Sequence, residues 1–161
     1  MKYAIIGSGK IGTALAHVFA RKNIEVAIAN SGGPETLASV AEQLGASIVP
    51  KSAVSASGAA IIFLAVPFST RKDLAAQLPH WHGKIIVDVT NAFHVAPEEL
   101  GDRLSSEIIA EAFTGARVVK AFNHHLRNGL ERIRAWRVSG RPCSYRIMNT
   151  FDVNLPGTEL G

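Results

Sequence analysis

The residues most able to do chemistry by type and spacing lie in the first nineteen positions, MKYAIIGSGKIGTALAHVF. Tyr3-Ala4-Ile5-Ile6 is a short apolar run of the kind that forms a buried strand. It breaks at Gly7-Ser8-Gly9-Lys10-Ile11-Gly12, a G-x-G-x-x-G turn. Behind it Ile11, Ala14, Leu15, Val18 and Phe19 recur at helical spacing. Strand, glycine turn and helix in that order make the unit that binds a dinucleotide pyrophosphate. Gly7 lets the chain turn out of the strand, Gly9 lets backbone approach a diphosphate, and Gly12 lets helix pack on strand. The helix N-terminus adds unpaired N–H groups and a partial positive charge. A P-loop reading fails, because Lys10 precedes the last glycine and no hydroxyl stands directly behind it.

A second cluster of polar residues falls where the next apolar run ends, at Asn30-Ser31-Gly32-Gly33. An NAD site usually carries a carboxylate about 20 residues past the glycine turn, to accept from the ribose 2′-OH. Here Asn30 holds that place, and Ser31 with open backbone N–H groups can donate to a 2′-phosphate. The pattern favours NADP over NAD. A basic partner is expected nearby, with Lys10 and Arg21 as the candidates. His94, His124, His125 and the pair His80 and His82 read as ordinary surface histidines, and Asp88 as a structural hydrogen-bonder. No spacing of His, Cys, Asp and Glu points to a metal.

The elements that must position these residues follow from the pattern of apolar runs. Six strands are expected at Tyr3–Ile6, Ile24–Ala29, Ala46–Val49, Ala60–Val66, Lys84–Val89 and Arg117–Phe122. Helices fall between them: one behind the glycine turn, one from Pro34 to Gly45, one over Ser52–Ser57, one through Leu78, and one stopped by Gly115. Thr70-x-x-Asp73 has the spacing of a capping box for the fourth. Strict alternation and continuous apolar strands imply a doubly wound, mostly parallel α/β sheet, the Rossmann fold. Ligands in such sheets lie beyond the C-terminal strand ends. That rule gathers Gly7–Gly12, Asn30–Gly33, Ala65–Phe68, Thr90–Phe93 and Ala121–His124 into one crevice.

Composition narrows the classes. The 161 residues suffice for one domain with a real core, and 47% of them are hydrophobic. The longest apolar run, Ala59 to Phe68, is too short to span a membrane. No signal peptide is expected, and a single cysteine rules out an internal disulfide, which fits a cytoplasmic protein. The net charge of +4 is uneven: residues 1–126 carry eleven basic and ten acidic side chains, residues 127–161 six and three. A nearly neutral main domain argues against a nucleic-acid partner.

Five stretches together carry a family resemblance: GSGKIG at 7–12, IANSGGPETL at 28–37, LAVPF at 64–68, IIVDVTNAF at 85–93, and SSEIIAEAFTGARVVKAFN at 105–123. Over about residues 1–125 the chain closely resembles the F420-dependent NADP oxidoreductases. The resemblance implies an NADP-binding Rossmann domain in which Gly7, Ser8, Gly9, Lys10, Ile11 and Gly12 hold the pyrophosphate. Asn30 and Ser31 would take the 2′-phosphate. Ala65, Val66, Pro67 and Asn91 would flank the nicotinamide ribose, with Ala121 near the ring. Many relatives carry Arg where this chain has Gly32. The implied reaction is hydride transfer between NADP(H) and a second acceptor, such as F420, a flavin or another small electron carrier. Two bound cofactors carry that chemistry, so no side chain is assigned a catalytic role. The other reading is an NADP(H)-binding protein without turnover, a sensor or a truncated remnant. An imine reductase would need a helical dimerisation domain after the sixth strand.

Past Leu126 the resemblance ends. Residues 126–161 form an irregular, Arg-rich tail, read either as a loose C-terminal segment or as a truncated or frame-shifted version of the family's C-terminal part. An incomplete substrate side leaves apolar surface around Val118–Phe122 and Leu126, so a homodimer is expected.

Overall fold

The computed structural model describes residues 1–78, 81–92, 95, 100–101 and 103–121. The expectations for the tail, Phe93, His80, His94, His124 and His125 lie outside the described residues. So do those for Phe122 and Leu126.

Six strands form one sheet: β1 (Tyr3–Ile6), β2 (Val26–Ala29), β3 (Ile48–Pro50), β4 (Ile61–Leu64), β5 (Ile85–Asp88) and β6 (Arg117–Lys120). Every pairing is parallel, in the order β3-β2-β1-β4-β5-β6. This is the strand order of the doubly wound dinucleotide-binding fold, with its switch point between β1 and β4. Among the described residues, five helices connect the strands: α1 (Lys10–Arg21), α2 (Ala38–Leu44), α3 (Ala53–Ala56), α4 (Arg71–Gln77) and α5 (Ser105–Ala112). None of the described helices is long and apolar enough to cross a membrane.

The two sheet faces carry separate cores. Ala4, Ile6, Ala27, Ala29, Ile62, Leu64 and Ile86 pack with Phe68, Trp81, Ile108 and Phe113 on one face. Ile5, Val26, Ile28, Phe63 and Val87 pack with Leu15, Phe19 and Leu37 on the other. Both faces are covered, which is why the strands read as unbroken apolar runs. Trp81 meets Phe113 edge-on with ring centroids 4.6 Å apart, and Phe19 meets Phe63 the same way at 5.5 Å. Burial raises the pKa of the Tyr3 phenol on β1.

Element ends depart from the sequence pattern for local reasons. The second strand starts at Val26 because Ile24 belongs to the close of α1. Asn23 takes φ 51°, its N–H donates to Ala20 O, and the Ile24 N–H donates to Phe19 O. That is a Schellman turn with Asn in the usual glycine place. The third strand begins at Ile48, since its N–H first closes a turn onto Gly45 O.

The capping box expected at Thr70 does not form. A turn of 3-10 helix over Phe68–Thr70 leads into α4, leaving Thr70 already helical (φ −85°, ψ −1°), and its hydroxyl donates to Pro67 O at 2.9 Å. The side-chain cap appears at α5 instead, where the Leu104 N–H donates to the Glu107 carboxylate at 2.9 Å.

Candidate functional site

The glycine turn is fixed by contacts that admit no side chain at two of its three glycines. Gly7 has φ 111°, and a Cβ there would sit 2.1 Å from Ala65 O. A Cβ on Gly12 would sit 1.8 Å from Gly7 O. The Gly7 N–H donates to Ala29 O and the Ala65 N–H to Ile6 O, both at 2.8 Å. The turn is therefore bound to the end of β2 and the end of β4 at once.

Gly9 is different in kind. Its backbone (φ −70°, ψ −171°) is open to any residue, and a Cβ there would meet nothing within 4 Å. The fold has no need of glycine at this position. What the missing side chain leaves is clear space directly before α1. The first helical bond runs from Thr13 N–H to Gly9 O, so the amides of Lys10, Ile11 and Gly12 precede the ladder. No acidic side chain occupies the first turn and no side chain caps it. Such a helix end offers N–H donors and a favourable dipole to an anion. The Thr13 hydroxyl donates to Ser8 O at 3.1 Å and holds the turn's shape.

At the end of β2 the Asn30 side chain is committed within the protein. Its Nδ2 donates to Ser8 Oγ and to Thr36 Oγ1, each at 3.0 Å, and its Oδ1 accepts from the Gly32 N–H at 2.9 Å. Thr36 donates in turn to Gly33 O at 2.8 Å. Asn30 thus ties the glycine turn to loop 31–36 and has no amide hydrogen left over, whereas Ser31 is exposed. A side chain at Gly32 would press on Thr36 at about 3 Å, a local reason for glycine there. Glu35 went unremarked in the sequence, yet its carboxylate folds back to within 2.8 Å of where a Gly33 Cβ would be.

Of the two expected cations, Lys10 stands exposed beside the turn. Arg21 ends α1, about 18 Å along the helix axis from Gly9, and is removed from the crevice. The structure supplies Lys51 instead. Its N–H donates to Ile28 O at 2.9 Å, placing it at the end of β3 beside the end of β2.

The other half of the crevice lies at the ends of β4, β5 and β6. Ala65 and Val66 touch the glycine turn, Pro67 is exposed behind them, and Asn91 is half-buried past β5. The Ala121 N–H donates to Asp88 O at 3.0 Å, and the residue is buried. The strand pairs Ile86 with Val118 and Val87 with Val119, then Asp88 with Lys120. Asp88 is fully buried; its Oδ2 accepts from Lys120 Nζ at 2.8 Å and its Oδ1 from the Thr90 N–H at 2.8 Å. Lys120 Nζ also donates to Thr90 O at 2.7 Å. Asp88 is the structural hydrogen-bonder that its position within a strand implied, and its ionic partner was not foreseen. Among the described residues the Thr90 hydroxyl is buried without a hydrogen-bond partner. Arg71, also missed, is 2% exposed; its guanidinium lies 4.1 Å over the Phe68 ring and donates to Phe68 O at 2.8 Å. His82 is exposed and packs its ring on Gly115.

With this geometry in place, comparison with known proteins supplies the lineage. A family model for coenzyme F420-dependent NADP oxidoreductases matches residues 2–92. The chain belongs to that family. Among solved structures, a hypothetical protein from Sinorhizobium meliloti is 45% identical, with a TM-score of 0.71 over 76% of this chain and 62% of that one. A protein from Arthrobacter sp. FB24, described as an F420-dependent NADP reductase, is 25% identical with a TM-score of 0.59, over 74% and 61%. The chain thus spans under two thirds of either relative's length. An imine reductase from Myxococcus stipitatus in complex with NADP+ shares the fold at 19% identity and a TM-score of 0.54, over 74% of this chain and 40% of that one. Comparison with curated proteins finds no match. Family membership and the parallel sheet agree with the resemblance seen in the five motifs.

Proposed function

We propose that the chain binds NADP(H) along the C-terminal edge of its sheet and supports hydride transfer to a second cofactor-like acceptor, F420 or a flavin. The observation that carries the cofactor half is Gly9: a glycine the fold does not require, leaving room where a helix presents free amides. In this reading the pyrophosphate lies over Gly7–Gly12, and the 2′-phosphate lies at Ser31. The nicotinamide end reaches Ala65–Pro67, Asn91 and Ala121. Asn30 holds the loop rather than the ligand, because its amide is fully used. Lys51 supplies the positive charge that Gly32 does not, and Glu35 opposes it.

No side chain described at the nicotinamide end has the geometry of an acid or base aimed at open space. That suits a reaction in which the two ring systems exchange hydride directly and the protein orients them and excludes water. The acceptor half rests on family membership and on the Arthrobacter protein's description.

The test is a fluorescence titration with NADPH and NADH, on the chain and on Gly9→Ala. The chain is expected to prefer NADPH by about tenfold, roughly 1.4 kcal/mol. Gly9→Ala is expected to keep its melting temperature and to lose most of the binding. Unchanged affinity in Gly9→Ala would remove the pyrophosphate assignment. Oxidation of NADPH is then followed with deazaflavin, flavin, quinone and ferric acceptors. Tight binding without acceptor-dependent loss of absorbance would leave a binding protein rather than a reductase.

A further inference from the structure

The ladder between β5 and β6 runs from an exposed Arg117 opposite Ile85, through two apolar rungs, to a last rung where the buried Asp88 faces Lys120. A buried ion pair is a costly choice there, since two apolar residues of similar volume usually stabilise a core as well or better. Besides each other, the two side chains hydrogen-bond the peptide groups of Thr90. Asp88 takes the Thr90 N–H and Lys120 takes the Thr90 C=O. By this point β5 has ended, so Thr90 has lost the strand's own ladder and is held by side chains instead. The carbonyl that Lys120 grips belongs to the peptide bond leading into Asn91. Fixing that peptide fixes where Asn91 starts, at the mouth of the crevice.

We propose that Asp88 and Lys120 are positioning residues for the nicotinamide half of the site, acting through Thr90 to set Asn91. The inference rests on the NADP(H) reading above. The pair does not touch the glycine turn or loop 31–36. Its loss therefore loosens one end of the ligand and leaves the other end's contacts intact.

The test measures the affinities of NADPH and of 2′,5′-ADP, which carries only the adenosine half. The proteins compared are the full chain, Lys120→Met, and the double variant Asp88→Leu with Lys120→Met. The double variant removes both charges, so it is expected to melt close to the unaltered chain while the single variant melts lower. Both are expected to bind NADPH on the order of tenfold more weakly, the worth of one well-placed hydrogen bond. Both are expected to bind 2′,5′-ADP within about twofold of the unaltered chain. A stable double variant with unchanged NADPH affinity would overturn the positioning role and leave the cofactor reading standing. Equal loss of both ligands would overturn it too, as general loosening. An unaltered chain that binds neither ligand would overturn both readings together.

Discussion

The two halves of the crevice solve one problem with different materials. Both must hold irregular backbone steady just past the end of a strand. On the β1–β3 side this is done near the surface by neutral groups close in sequence: Asn30 reaches Gly32 and Thr36 and, across the strand end, Ser8. On the β5–β6 side a buried carboxylate and a lysine 32 residues apart grip one peptide. The first design tolerates water and leaves the Ser31 side chain exposed. The second buries its carboxylate completely. Robustness differs accordingly, because neutral surface bonds contribute modestly while a stranded buried charge costs heavily.

The comparison breaks first at the glycines. Gly12→Ala drives a Cβ into the Gly7 carbonyl and is expected to cost about 4 kcal/mol or more, read as loss of cooperative unfolding in a denaturant titration. A soluble variant with an unchanged midpoint would mean the turn can spread, and the β1–β3 side would then be the softer half. Next comes the ion pair. Lys120→Met strands Asp88, which has no exposure, and should cost about 3–5 kcal/mol. Asp88→Asn should cost less, since Lys120 retains 16% side-chain exposure and can turn to water. Equal midpoints for the two would show that the carboxylate is not the costly partner.

Smaller effects sharpen the contrast. Lys51→Met should weaken NADPH binding about fivefold and leave NADH alone, with stability unchanged, because the charge is spent on the ligand rather than the fold. Parallel losses for the two cofactors would remove Lys51 from the 2′-phosphate. Thr90→Val keeps the side chain's shape and deletes a buried hydroxyl that has no partner among the described residues. It should raise stability by about 1 kcal/mol, seen as a higher melting temperature. A fall instead would mean the hydroxyl has a partner in the folded chain.

Much of the β1–β3 side was legible in the sequence because its determinants are local. Three glycines at fixed spacing between an apolar run and a helical pattern specify strand, turn and helix, and the structure places them so. Alternating runs likewise implied a parallel sheet, since a βαβ crossover leaves few other topologies. The β5–β6 side was legible only as strand ends. Nothing in KIIVDV and RVVKAF says that Asp88 and Lys120 share a rung; that follows from register, which spacing alone does not fix. Lys51 was hidden for the same reason, being tied to Ile28 across the β2–β3 pairing rather than along the chain. Thr70 misled because its spacing to Asp73 fits a cap, whereas Pro67 upstream offered its hydroxyl a nearer acceptor.

Gly7 touches three strand ends: its own on β1, β2 through its N–H, and β4 through its bare Cα. A residue wedged in that way leaves no hinge in the floor of the crevice. Closure around a ligand has to come from the rim, above all from loop 31–36, whose bonds are exposed and can be exchanged for water one at a time. In hydrogen exchange the Gly7 amide should outlast that of Gly32 by orders of magnitude, a rigid anvil beneath a movable edge.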